Sequence, residues 1–368
     1  MTRILTVSLV TLGDPGRLTG GYRYHRRMAE LAPACGASVR FVSFPDRPFP
    51  LPALVGPMVL RQARADVLVL DSIAAAFLGP WLARRPRTPL VGSLHQPPGG
   101  IDHGPLRRAV QAPLDRLAYR RARLLLVASQ ALGDELAAQG YPRERIRVVP
   151  PGRDLVAAPA GQRGDLRQGR RAGLLCVANW VERKGVLELL EAVSRLPDGL
   201  ATLHLAGDDR ADPRYGALVR ARLSHPDLAG RVVVHGPLPA EQVAALYQGA
   251  DVFALPSVRE PYGTVWGEAM AAGLPVVGWR AGNLPHLAED GREGLLASPG
   301  DVDGLSTALA RLAGDEDLRQ RMAAAAARRA AVRPTWAQSA ALFFDALREA
   351  LREALREAAP AGHDTGPA

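Results

Sequence analysis

SVREPYGTVWGEAMAAGLPVVG, Ser257 to Gly278, is the stretch that decides the fold. An apolar run, Val252–Leu255, leads into it. A turn containing Pro261 and Gly263 follows. A helix is then expected from near Thr264 to Gly273, and a second apolar run covers Pro275–Gly278. Neither run alternates with polar residues, which suits strands buried on both faces. Two such strands joined through a helix must run parallel, because a tight turn can connect only antiparallel neighbours.

The same step repeats in both directions. Continuous apolar runs occur at Ile4–Val10, Val39–Phe44, Asp66–Leu70, Pro89–Leu94, Leu124–Ala128 and Ile146–Val149. They resume at Leu174–Ala178, Thr202–Ala206 and Val232–His235. The spacers between runs are long enough for crossover helices, so an α/β chain with two doubly wound, Rossmann-like sheets is expected. The alternation pauses at Leu155–Arg171, which is polar and glycine-rich and reads as a linker. The expected domains are therefore 1–154 and 172–335. Ligands of such sheets sit outside the carboxyl ends of the strands, so a central cleft would collect loops from both domains. From Trp336 to 359 one long helix is expected to pack back across the domains, with Leu347, Leu351 and Leu355 as its stripe. Residues 360–368 are small and polar and read as a disordered tail.

Composition narrows the function. The chain has 368 residues and a net charge of +9, carried unevenly. Residues 1–160 balance at +11 and the remainder at −2. A basic half suits a phosphorylated substrate, anionic lipid or nucleic acid. Aromatics make up only 5% and no nucleic-acid motif is present, so nucleic acid ranks last. Arg107, Arg108, Arg116, Arg120, Arg121 and Arg123 cluster around an expected helix that could meet anionic lipid or simply face solvent. Cys35 and Cys176 match no metal or redox spacing and read as buried apolar groups of a cytoplasmic protein. MTRILTVSLVTLGDPG looks like a leader but lacks a cleavage pattern and reads as the first strand. No apolar stretch reaches the roughly 18 residues a membrane span needs.

Glu260 lies in the turn and Glu268 eight positions later on the helix. Read alone, they would be a capping residue and a solvated one. AMAAGLPVV after Glu268 reads as buried, however, and a buried carboxylate needs partners. The unsatisfied N–H groups around Gly263 and Thr264 favour an anion, and a carboxylate on each side can accept hydrogen bonds from hydroxylated rings. Lys184 in VERKGV is the only lysine among 46 basic residues. It offers a compact charge where arginine offers a flat fork. Asp301 and Asp303 have a D-x-D spacing, but after Pro-Gly they read as helix capping. The eight histidines are scattered, and no metal cluster is expected.

Glu260 and Glu268 with PYG between them, then EAMAAGLPVV and Gly282, resemble the E-x7-E signature of the family 4 retaining glycosyltransferases. VANWVERKG (Val177–Gly185), VVPPGRD (Val148–Asp154), His235-Gly-Pro-Leu, Gly20-Gly21 and His95 are similar to further family landmarks. The resemblance implies a GT-B fold and transfer from a nucleotide-diphosphate sugar to an acceptor hydroxyl, without metal or other cofactor. It implies Glu260, Lys184 and His95 as catalytic. Arg183, Glu268, Tyr262, Gly263, Thr264, Asn179 and Gly21 would bind the donor. Lys184 and Arg183 would meet the diphosphate, Glu260 the sugar and Glu268 the ribose. The acceptor is expected to be anionic or lipid-linked, with peripheral membrane contact through the basic half. Asn179 departs from the pattern, which has arginine there; either Arg183 supplies the cation or the phosphates are held differently. A non-catalytic nucleotide-sugar binder and a GT-B epimerase or phosphorylase are the alternatives.

Overall fold

The computed structural model describes residues 3–16, 20–82, 88–153 and 164–358. Twelve strands lie among them. The first sheet contains β1 (Leu5–Leu12), β2 (Ala37–Phe44), β3 (Val67–Asp71), β4 (Leu90–Leu94), β5 (Leu124–Val127) and β6 (Ile146–Val148), in the order β2-β1-β3-β4-β5-β6. The second contains β7 (Ala172–Val177), β8 (Ala201–Ala206), β9 (Val232–Gly236), β10 (Val252–Ala254), β11 (Val276–Trp279) and β12 (Gly294–Ala297), in the order β12-β11-β10-β7-β8-β9. Neighbouring strands pair in parallel throughout both sheets.

Eleven of these strands match the apolar runs to within a few residues. The twelfth, GLLA, is too short to register as a run. Its Gly294 passes so near β11 that a Cβ would come within 1.9 Å of the Val276 carbonyl oxygen. A glycine that permits close strand approach is what erases the apolar signal there.

The chain divides into two compact units. One takes in the chain up to Gly152 and from Pro334 onward; the other is Arg153–Arg333. Of the stretch expected as a linker, 155–163 lies outside the described residues. Leu166, near its end, is buried in the core of the second unit, and Arg167 pairs with Asp251 at 2.7 Å. The expected tail, 360–368, also lies outside the described residues.

Strand pleating explains how the first sheet is covered. Val67 and Val69 of β3 face one core with Leu5, Val7 and Leu9, while Leu68 and Leu70 face the other with Phe77 and Tyr119. The first of these cores is closed by the helix Trp336–Ala358, through Phe343, Phe344 and Leu347. Its leucine stripe fades along the helix: Leu347 is fully buried and Leu355 is 62% exposed. Ion pairs take over where the stripe ends. Arg147 meets Glu349 at 2.6 Å, and Arg123 grips both oxygens of Glu357 at 2.8 and 2.6 Å. Cys176 is buried as expected, whereas Cys35 is only half-buried. Asp301 caps the helix Val302–Gly314 by accepting from the Gly304 N–H at 2.8 Å, and Asp303 pairs with Arg195.

Candidate active site

Strand order locates where each sheet can hold a ligand. In the second sheet the winding reverses between β7 and β10, which are hydrogen-bonded neighbours. Loops leaving their carboxyl ends diverge and open a crevice. The loop after β7 carries Asn179, Arg183 and Lys184, and the loop after β10 carries Glu260. Topology alone thus brings together residues 76 positions apart.

The two loops are stitched through the backbone. The Arg183 carbonyl accepts from the Val258 N–H and from the Ser257 hydroxyl, each at 2.9 Å. Gly185, in the left-handed region at φ 71°, ends the short turn Glu182–Lys184 and starts the helix Val186–Ser194. A Cβ there would lie 2.3 Å from the Pro256 carbonyl oxygen, so only glycine fits on both counts. Gly282, at φ 56°, fits against Glu260 in the same way, with a Cβ 2.9 Å from its backbone N and O.

Three charges then meet. Lys184 Nζ donates to Glu260 Oε2, and Arg183 Nη1 donates to the same oxygen at 3.3 Å. Their side chains are 13%, 21% and 15% exposed for Lys184, Arg183 and Glu260. Two cations against one carboxylate leave the cluster positive in a poorly solvated place, which favours a further anion. The helix Thr264–Ala271 begins nearby after Gly263 (φ 78°) and contributes its unsatisfied N–H groups.

Glu268 lies on that helix and accepts from the Tyr247 hydroxyl at 3.2 Å. Burial, and then the neighbouring Glu268, push the Tyr247 phenol well above its ordinary range, so it stays a donor. Tyr262 is oriented by Arg333, which donates to its hydroxyl and stands 5.3 Å over its ring. Arg333 occupies the notch left by Gly267, where a Cβ would come within 2.1 Å of the guanidinium. Sequence reading missed Tyr247 and Arg333, since nothing local marks either as a partner of the motif. Asn179 Oδ1 accepts from the Asp208 N–H at 3.1 Å and joins the ends of β7 and β8.

The first sheet reverses between β1 and β3. Asp71 ends β3, Thr11 lies near the end of β1, and His95 follows β4. Thr11 donates to Asp71 Oδ2 at 2.7 Å, and His25 Nε2 lies 3.4 Å from the same oxygen. His25 Nε2 is in turn 3.3 Å from His95 Nε2. The Gly21 backbone packs on this group, with a Cβ reaching 3.5 Å from the His95 ring. Burial, then the neighbouring His25, lower His95 to about 3, leaving it neutral at physiological pH. Burial acts to raise the Asp71 carboxyl, but His25, His95 and Thr11 outweigh it and hold it at about 2. His25 and Asp71 escaped the sequence reading. An acid closing the apolar run VLVLD was the available signal.

Comparison with known proteins agrees with this layout. Residues 4–152 match the family model described as a glycosyl transferase 4-like domain, and residues 171–315 match that of the glycosyl transferases group 1. The D-inositol 3-phosphate glycosyltransferase of Corynebacterium jeikeium is 36% identical over 59% of this chain and 53% of that protein. The chain thus spans about half the length of such relatives. A GDP-mannose-dependent alpha-(1-6)-phosphatidylinositol monomannoside mannosyltransferase of Mycolicibacterium smegmatis is 29% identical over 65% of each chain. Among solved structures, sucrose-phosphate synthase from Thermosynechococcus elongatus superposes with a TM-score of 0.79 at 20% identity, covering 96% of this chain and all of that one. Anabaena HepE in complex with UDP and glucose gives 0.77 at 23% identity, covering 94% and 100%. These neighbours share the GT-B fold, with its two parallel sheets. With a family match on each sheet and the fold in common, the chain belongs to the family 4 glycosyltransferases.

Proposed function

We propose that this chain transfers a sugar from a nucleotide-diphosphate sugar to an acceptor hydroxyl, with retention of anomeric configuration and without a metal ion. The observation that carries the proposal is the convergence of Lys184 and Arg183 on Glu260 at the β7/β10 reversal. A diphosphate group entering there would exchange water for two fixed cations and a helix amino end, and its charge grows as the sugar departs. Lys184 and Arg183 neutralise that charge in place of a divalent ion. Glu260, released in part from its cations, accepts from sugar hydroxyls, and Glu268, aimed by Tyr247, accepts from the ribose. The new bond forms on the face from which the phosphate leaves, and the acceptor proton passes to the departing phosphate oxygen. His95, held neutral, donates or accepts a hydrogen bond beside the reacting sugar without adding charge. The names of the relatives support a phosphorylated or lipid-linked polyol as acceptor class. Two free cysteines suit a cytoplasmic setting.

Calorimetry against UDP, GDP, ADP and their sugars, with Lys184→Ala as control, tests the donor site. Binding of one nucleotide, lost in the variant, is expected; equal binding by both proteins would remove the proposal. Proton NMR of the product distinguishes retention from inversion, and turnover in excess EDTA tests metal independence. The engagement of Asn179 with Asp208 favours a second reading, a nucleotide-sugar binder without turnover. Tight donor binding with no transfer to any acceptor would select it.

A further inference from the structure

The group at the β1/β3 reversal holds two histidines, and the transfer chemistry above uses only His95. His25 lies on the helix Gly20–Leu31, is fully buried, and approaches both Asp71 and His95 through one atom. Its Nε2 stands 3.4 Å from Asp71 Oδ2 and 3.3 Å from His95 Nε2. Its Nδ1 is buried with no hydrogen-bond partner among the described residues. Nothing on that side of the ring selects its tautomer, so the Nε2 side does.

Asp71, ionised, can only accept hydrogen bonds. Its Oδ1 takes the Ser72 hydroxyl and the Ile73 N–H, each at 3.3 Å, and its Oδ2 takes the Thr11 hydroxyl at 2.7 Å. A bare His25 Nε2 would set a lone pair against that buried oxygen, so the nitrogen carries a proton. The same proton faces His95 Nε2. Two N–H groups aimed at each other repel, so His95 Nε2 is the bare nitrogen. A neutral imidazole has one ring proton, and on His95 it must then sit on Nδ1. The two nitrogens of the ring point in divergent directions, so this N–H faces away from Asp71. Packing holds the ring in that pose. Tyr24 meets it edge-on with centroids 4.7 Å apart, and the His95 backbone N–H donates to the Ser72 hydroxyl at 3.4 Å. Thr11, Asp71 and His25 are closed off, whereas His95 is half-buried, so the chain of contacts ends on the one ring that a substrate can reach.

We infer that Asp71 and His25 are positioning residues that fix the tautomer of His95, so that His95 offers an Nδ1 proton to a substrate oxygen and not a lone pair. The inference rests on the transferase proposal for what His95 meets, and it settles which way that hydrogen bond runs. Its first test needs no turnover. In the nitrogen-15-labelled full chain at neutral pH, long-range proton–nitrogen spectra report which nitrogen of each imidazole bears the proton. The His95 signals are those lost in His95→Gln. They are expected to show a protonated Nδ1 and a bare Nε2. His25→Gln keeps an N–H donor beside His95 Nε2 and should keep the pattern. His25→Leu keeps the bulk but removes the donor, so the His95 proton should populate Nε2. Its kcat should fall about tenfold with nucleotide affinity unchanged by calorimetry, while His25→Gln stays within a few-fold of the wild type. A wild-type His95 protonated on Nε2 overturns the inference, whether or not any variant folds. So does a His25→Leu protein with an unchanged His95 pattern, or an equal loss of kcat in both His25 variants, since the role of His25 would then be structural. Absence of transfer by the wild type counts against the transferase proposal alone, because the spectra are recorded on the resting protein.

Discussion

The two sheet reversals place chemically opposite groups at equivalent topological positions. At the β7/β10 reversal two cations share one carboxylate, and the side chains keep a little solvent contact. At the β1/β3 reversal the carboxylate is buried among two histidines and a threonine, and His95 is held neutral. The first arrangement is built to receive charge, and the second to present hydrogen bonds without charge. Under the proposed function, the first group would meet a departing diphosphate, and the second would hydrogen-bond without adding charge. The fold supplies only the two positions; the side chains differentiate them.

Removing the charge from the second unit should give the largest effect. Lys184→Ala is expected to cost about 3–4 kcal/mol of transition-state stabilisation, seen as a fall of two to three orders of magnitude in kcat/KM. Melting temperature should change little. An unchanged rate would show that the cluster is only structural. Gly185→Ala attacks the geometry instead of the charge. A left-handed backbone and a collision with the Pro256 carbonyl should destabilise the second unit by about 2–3 kcal/mol, read as a lower urea midpoint.

The first unit should respond to pH. His95 has a folded value of about 3 against the ordinary 6.5, so between these values the unfolded chain binds a proton that the folded chain refuses. Its contribution to stability is complete above about pH 6.5 and is lost as pH falls toward 3. Urea unfolding should show a loss of about 2 kcal/mol between pH 6.5 and 5 that His95→Gln largely abolishes. Identical pH slopes in the two proteins would contradict an imidazole that stays neutral in the folded chain. The smallest expected effect is that of Tyr247→Phe. Loss of the hydrogen bond to Glu268 should weaken nucleotide affinity by about 1 kcal/mol, measured by calorimetry, with the free sugar unaffected.

Local pattern made much of this legible. Buried parallel strands appear as unbroken apolar runs, so Leu174–Ala178 or Val252–Leu255 could be read directly. Lys184 stood out against 45 arginines, and Glu260 and Glu268 against the buried run that follows them. What escaped depends on partners distant in sequence. Asp71 pairs with a histidine 46 residues earlier, and Arg333 finds Tyr262 across 71 positions. β12 was hidden because its opening glycine serves the neighbouring strand's carbonyl and not an apolar face. Asn179, assigned to the donor site by the family resemblance, has a side-chain oxygen that joins two strand ends, a contact no local pattern announces.

The sheet of the first unit is finished by the helix Trp336–Ala358, which follows the second unit in sequence, through Phe343, Phe344 and Leu347. The intervening unit is one uninterrupted segment. On the ribosome this reverses the usual order of maturation. The unit translated second holds all its own parts first. The unit translated first waits with an apolar sheet face uncovered until residues 336–358 have emerged, and nascent-chain folding should depend most on chaperones during that interval.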